Sequence, residues 1–306
     1  MTHDHSSGSV HLRGDGPDAA LIRALHAAPR ASVSELAETV HETRATVSMR
    51  LRELVDSEAI RVTAAVNPGY LGLTVIAHIS VACHTSIAEV TEYARERDEI
   101  VLVSAVSGQY HCVMEARVRT HEDLQRLLRE FRELPSVAKL STLIYSRVLR
   151  GAIAHDTFSP VTVDRIDTQI IGLLRADGRA SLRSLADTVS LSPSAVRMRL
   201  RRLLDSRVVK IGVVEASGRR GARMLMGVGI GIGAGGDGVA AALRNDPAVD
   251  FAAESVGEFD AIATISGATS MALLEGVERL RRLPGVIRTA TWSHLQTIKE
   301  DYTSFG

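Results

Sequence analysis

The sequence predicts an α+β fold in which three-helix units alternate with small βαββαβ units. Apolar residues at helical spacing open each half of the chain, the spacing then changes to the alternation of strands, and the whole pattern recurs at a single shift. The shift is 149 residues: Arg30-Ala31-Ser32 returns as Arg179-Ala180-Ser181, and Met49-Arg50-Leu51-Arg52 as Met198-Arg199-Leu200-Arg201. Asp56-Ser57 returns as Asp205-Ser206, and Leu134-Pro135 with Val137 as Leu283-Pro284 with Val286. The same offset carries Gly108 onto Gly257 and Tyr110 onto Phe259.

With 306 residues, 45% of them hydrophobic and 24% charged, the chain suits two to four ordinary domains. The divisions expected are a disordered tail over 1–16, a helical unit over 17–62, an α/β unit over 63–150 and a linker over 151–163 rich in Gly, Pro and small polar residues. A second helical unit follows over 164–212 and a second α/β unit over 213–306. No apolar run approaches the roughly 18 residues of a membrane helix, and residues 1–16 contain no apolar signal core, so a cytoplasmic location is expected. Cys83 and Cys112 sit in apolar alternating segments and read as reduced, buried strand residues. His3, His5 and His11 are scattered in the tail and define no metal site, and no cofactor is expected. The run from Gly227 to Gly238 lacks both the Lys-Ser/Thr ending of a phosphate loop and dinucleotide spacing, so it reads as a flexible strand-to-helix connection.

In the second helical unit Ile166, Ile170, Ile171 and Leu174 share one helix face, and Asp177-Gly178 ends that helix with a residue tolerant of positive φ. Leu182, Leu185, Ala186 and Val189 form the next. After the turn Ser190-Leu191, Ser192 is placed as an N-cap and Pro193 at the first helical position, where its missing N–H costs nothing. The third helix then turns Val196, Leu200, Leu203 and Leu204 inward and Ser194, Arg197 and Arg201 outward, with Arg199 and Arg202 beside them. Two helices joined by a tight turn, the second basic on its outer face, form a winged-helix/helix-turn-helix pattern that binds double-stranded DNA.

Beyond the helices, Val75, Ala77, Ile79 and Val81 alternate as a strand. A helix near 87–97, strands at 100–106 and 110–118, a helix capped by Thr120 with Asp123, and a strand at 137–148 complete a ferredoxin-like β-α-β-β-α-β order. The second half repeats it from Ala222 to Ile298, with a Gly-rich first strand around Met226 to Gly236. Each sheet has an open face to bury, and the covalently linked copy is the nearest partner, so the two α/β units are expected to pair within one chain and to support further self-association.

Charge separates the helical units. From Asp164 to Gly212 there are ten Lys or Arg and five Asp or Glu; from Asp18 to Val62 there are six and seven. The DNA-contacting candidates are therefore Ser192, Ser194, Arg197, Arg199, Arg201 and Arg202 in the second unit, with Arg44, Thr46, Ser48, Arg50 and Arg52 as weaker counterparts in the first. Arg197 is expected to read bases and Arg201 to lie nearer the phosphates.

Asp164-Arg165-Ile166-Asp167, Leu191-Ser192-Pro193 with Arg199-Leu200 and Leu203, Val256-Gly257-Glu258-Phe259-Asp260 and Leu283-Pro284-Gly285-Val286 together resemble the Lrp/AsnC (feast/famine) family of regulators, twice over. The resemblance implies DNA binding by the third helix and sensing of an effector, commonly an amino acid, where the α/β units meet. By that likeness the effector residues are Gly257, Glu258, Phe259 and Asp260, with Gly108, Gln109, Tyr110 and His111 opposite. The first half departs from the family pattern: His41-Glu42-Thr43-Arg44 replaces Leu-Ser-Pro, and His111 replaces Asp260. Two alternatives remain. One is an enzyme similar to the siroheme decarboxylases, which share this architecture and would gather His and Tyr in the sensing pocket; the second half offers only His294 and Tyr302. The other is an effector-binding module that acts through a protein partner.

Overall fold

The computed structural model describes residues 17–151, 158–215 and 224–302. The expected tail, its three histidines, residues 152–157 of the linker and the expected start of the second βαββαβ repeat at Ala222 lie outside the described residues.

The first helical unit comprises α1 (Pro17–Ala27), α2 (Val33–Val40) and α3 (Arg44–Asp56), followed by β1 (Ile60–Val66). Then come β2 (Val75–Cys83), α4 (Ala88–Arg95), β3 (Ile100–Val106), β4 (Cys112–Val118), α5 (His121–Arg132) and β5 (Val137–Arg150). The second copy runs α6 (Arg165–Ala176), α7 (Leu182–Val189), α8 (Pro193–Asp205) and β6 (Val209–Glu215). It continues with β7 (Met224–Ile232), a 3-10 turn at Gly236–Gly238, α9 (Val239–Asn245), β8 (Val249–Val256), β9 (Ala261–Gly267), α10 (Ser270–Arg281) and β10 (Val286–Glu300). The boundaries of α7, α8, β6, β7, β9 and α10 reproduce those of their counterparts at the 149-residue shift.

The helix starts are where short polar side chains place them. Ser192 accepts from the Ala195 amide at 3.2 Å ahead of Pro193, Thr43 accepts from Thr46 at 3.1 Å, and Thr120 and Asp123 form a reciprocal box. His41 and Ser190, equivalent residues, end α2 and α7 in the left-handed region.

No separate wing forms among the described residues, contrary to the winged-helix expectation, because each candidate wing strand pairs with its counterpart. β1 and β6 run antiparallel with Thr63 opposite Gly212, two equivalent residues, so the pseudo-twofold axis passes between them. The expected boundaries at 62 and 212 thus fall inside this ribbon. Both helical units share one core, in which Leu21, Leu25, Leu36 and Val47 join Ile170, Leu174, Leu185 and Val196. Two arginines lock the pair reciprocally. Arg30 donates to the carbonyls of Gly178 (2.5 Å) and Ala180 (2.8 Å), and Arg179 to those of Pro29 (2.6 Å) and Ala31 (2.7 Å). Burial lowers the pKa of both guanidiniums from their usual range. Gly178 does not take the positive φ expected of it. Glycine is needed there because a Cβ would lie 2.8 Å from the Val62 carbonyl carbon, while its own N–H donates to the Val62 oxygen.

The two α/β units join by their sheet edges as well as their faces. Each four-stranded sheet meets the other twice, at β5–β8 and β10–β3, and the eight strands close a barrel. Helices α4 and α5 cover one outer wall and α9 and α10 the other. The first half of the glycine run is strand, in line with the Gly-rich first strand expected there, and residues 233–238 make the strand-to-helix connection. Gly227, Gly229 and Gly231 alternate along β7, where Cβ atoms would run into Trp292, Phe259 and Arg288. Large side chains from other strands and the β8–β9 turn occupy the space that three missing side chains leave. Cys83 and Cys112 are buried and free.

If the helical units are one folding unit, Gly178→Ala will overpack a rigid backbone contact and cost about 1–3 kcal/mol. Arg30→Ala, which strands two partly buried carbonyls in the other half, will cost a similar 1–3 kcal/mol. Chemical denaturation of the full chain checks both; a loss confined to one half's helices, or no loss, would contradict the shared core.

Candidate DNA interface and ligand chamber

On α8 the arginines divide into two pairs. Arg199 donates to Asp164 at 2.7 Å and to Asp167 at 2.9 Å, and Arg202 also bonds to Asp167. Asp167 is fully buried and forms the capping box of α6 with Asp164. These hydrogen bonds, the backbone amide of Asp167 foremost and then Arg199, hold the Asp164 carboxyl below its usual pKa. Arg199 and Arg202 thus fasten the third helix to the first. Arg197 and Arg201 point outward; Arg201 is 82% exposed and its nearest acid is Asp205 at 3.6 Å. Ser192 and Ser194 are exposed at the helix start, their hydroxyls 2.9 Å apart.

The first unit repeats this with weaker chemistry. Arg50, the counterpart of Arg199, lies 4.0 Å from Asp18 and 3.7 Å from Glu42. Ser48, half-buried, occupies the place of Arg197, and Thr46 bonds to Thr43 at 2.8 Å. Arg44 and Arg52 are exposed.

The two candidate effector turns lie where the halves meet. Gly108 (φ +112°) packs near Thr291 and Trp292, and Gly257 (φ +146°) near the equivalent Thr142 and Leu143. Their polar residues are engaged within the fold. Asp260 accepts from the Ile232 amide at 2.7 Å, and His111 Nδ1 accepts from the equivalent Cys83 amide at 3.0 Å. An imidazole and a carboxylate therefore close the same strand end. Phe259 is buried, with the Arg288 guanidinium 4.8 Å from its ring centre and donating to the Glu258 carbonyl. Tyr110 lies under Lys139, 5.5 Å away, and Gln109 is exposed beside it.

The sequence reading did not find a large internal cavity. It measures about 1060 Å³ and extends from α1 and β6 of the helical pair into the barrel. Because Ala77 and Ile79 face the outer helices, the alternate residue His78 faces the barrel interior, as do Glu115 and Arg117 on β4. Glu115 and Arg117 are 4% and 7% exposed and pair at 2.8 Å. His294 bonds to Ser104 at 2.9 Å. The available signal was a His, a Glu and an Arg at inward positions of otherwise apolar strands.

Residues 15–55 and 163–204 match the AsnC-type helix-turn-helix domain, and residues 74–151 match the Lrp/AsnC ligand binding domain. The chain is 31% identical over 142 residues to the HTH-type transcriptional regulator FL11 of Pyrococcus horikoshii, covering 46% of this chain and 94% of that protein. It is 24% identical over 127 residues to LysM of Sulfurisphaera tokodaii, covering 42% of this chain and 91% of that regulator. One half of this chain thus corresponds to nearly a whole relative. Over 95% of this chain and 94% of the other, the fold resembles the siroheme decarboxylase NirDL, with a TM-score of 0.59 and 14% identity. The matched domains span just over half of the residues, and the chain belongs to the Lrp/AsnC family of transcriptional regulators.

Proposed function

We propose that this DNA-binding, ligand-modulated regulator reads its operator chiefly through α8, with Arg197 on base edges, Arg201 on phosphate and Ser192 and Ser194 at the helix start. The separation of Arg197 and Arg201 from the buried Asp167 network carries this reading, because only cations not committed to the fold are available to DNA. Arg199 and Arg202 set the pitch of the helix. Arg44, Thr46, Ser48, Arg50 and Arg52 supply the weaker half of a two-part contact whose spacing the shared core fixes. The second βαββαβ unit is a diverged copy of the ligand-binding domain, and the turns 108–111 and 257–260 transmit changes across the seam between the units. Cytoplasmic location follows from this role.

A second reading has one observation in its favour. His294 and Tyr302 of the second half, with His78 and Tyr145 of the first, all line the chamber. That concentration suits a tetrapyrrole, and NirDL has been crystallised with an iron-uroporphyrin III analogue. The outward arginines of α8, Arg197 and Arg201, have no use in it.

A duplex selected by the full chain from random-sequence DNA separates the α8 arginines. Fluorescence anisotropy will show Arg197→Ala losing about 1–3 kcal/mol and relaxing base preference, and Arg201→Ala flattening the salt dependence by about one contact. Arg44→Ala and Arg52→Ala will lose less; equal losses from α3 and α8 would overturn the assignment. Titration with iron uroporphyrin is expected to leave its absorption band unshifted, whereas a stoichiometric shift abolished by His78→Ala would favour the enzyme.

A further inference from the structure

The chamber contains chemistry that the DNA-binding reading leaves unused. Trp292 and His78 pack against each other on its lining with ring centres 5.7 Å apart and a 43° tilt, and Tyr145 and Phe251 form a second pair at 5.6 Å and 43°. Two aromatic pairs therefore line the chamber. Gly227, opposite Trp292 in the β10–β7 ladder, removes the side chain that would displace the indole.

Two buried nitrogens on these walls, His78 Nε2 and Trp292 Nε1, have no hydrogen-bond partner. Indole N–H can only donate, so it requires an acceptor. Burial, with the nearby His294 adding to it, lowers the His78 pKa to about 3, leaving the imidazole neutral at physiological pH. Arg117 adds donors, its charge already matched by the ion pair with Glu115. Its Nε and one terminal nitrogen serve a single Glu115 oxygen, and its guanidinium stacks 4.9 Å from the centre of the Tyr302 ring, leaving further N–H groups for another acceptor.

The chamber has room for an occupant larger than a lone aliphatic amino acid. A cavity of about 1060 Å³ is at the upper end of the roughly 300–1,000 Å³ of drug-sized ligand pockets.

We infer that this chamber is a binding site for a fused-ring aromatic carboxylate, stacked between the Trp292–His78 and Tyr145–Phe251 walls, with its oxygens on Trp292 Nε1 and Arg117. The site deepens the ligand-modulated reading above and rests on it for its regulatory meaning. Ile22 of α1 and Val213 of β6 form the opposite wall, so an occupant touches the helical pair directly.

Trp292 is the only tryptophan, which gives the site its own reporter. The full chain, free of DNA, is titrated with 2-naphthoate and with quinaldate, read by calorimetry and by tryptophan emission excited at 295 nm. At least one probe will bind saturably at about one per chain and change the emission, while leucine at the same concentrations will do neither. His78→Leu and Trp292→Phe will each weaken binding at least tenfold by calorimetry, and Thr264→Phe, which fills the chamber from β9, will abolish it. Circular dichroism selects folded variants, and any one that folds suffices. Absence of saturable binding by both probes, or unchanged affinity in a folded variant, overturns the site. Because no DNA is present, that failure is distinct from a failure of the α8 reading, which the anisotropy series measures.

Discussion

Pairing of the two halves about one pseudo-twofold axis is the constraint on which the rest of the structure depends. A three-helix unit of about forty residues has too little surface to bury for a robust core of its own, and β1 and β6 are single strands that need a neighbour. Sharing solves both problems. The ribbon supplies each strand's hydrogen bonds, the common core supplies apolar burial, and Arg30 and Arg179 satisfy carbonyls across the axis. The barrel repeats this logic at larger scale, since two open four-stranded sheets expose four edges and closure removes them all. A covalent copy makes both pairings intramolecular, so a fixed distance between α3 and α8 does not depend on protein concentration.

Local chemistry was legible in the sequence wherever a residue acts on its own neighbours. Ser192-Pro193, Thr120 with Asp123, and the alternation from Val75 to Val81 each specify an element within a few positions, and those elements form there. What eluded the reading involves partners far apart in the chain. Gly178 looks like a helix terminator, yet its constraint is the backbone of Val62. Gly227, Gly229 and Gly231 read as a Gly-rich strand, but the reason for glycine is Trp292, Phe259 and Arg288, which arrive from elsewhere to fill their places. Four arginines on one short helix look like one cluster until the buried Asp167 of another helix claims two of them. The chamber was hidden for the same reason. His78 and Glu115 interrupt apolar strands, but only closure of the barrel turns them and Trp292 toward a common space.

The departures of the first half from the second fall into two physical kinds. His111 for Asp260 conserves a backbone duty, since either side chain can accept the amide at the end of the first strand, and the barrel closes identically in both halves. Ser48 for Arg197 and Glu53 for Arg202 conserve the helix and change only its charge. Helix α3 therefore keeps its place in the shared core, through Val47 and Leu51, while losing much of the attraction for phosphate that α8 retains. In a symmetric dimer of identical chains no such division is available, because every substitution appears twice. Duplication within one chain lifts that restriction, and the two reading helices become free to differ in strength while the core that spaces them stays common.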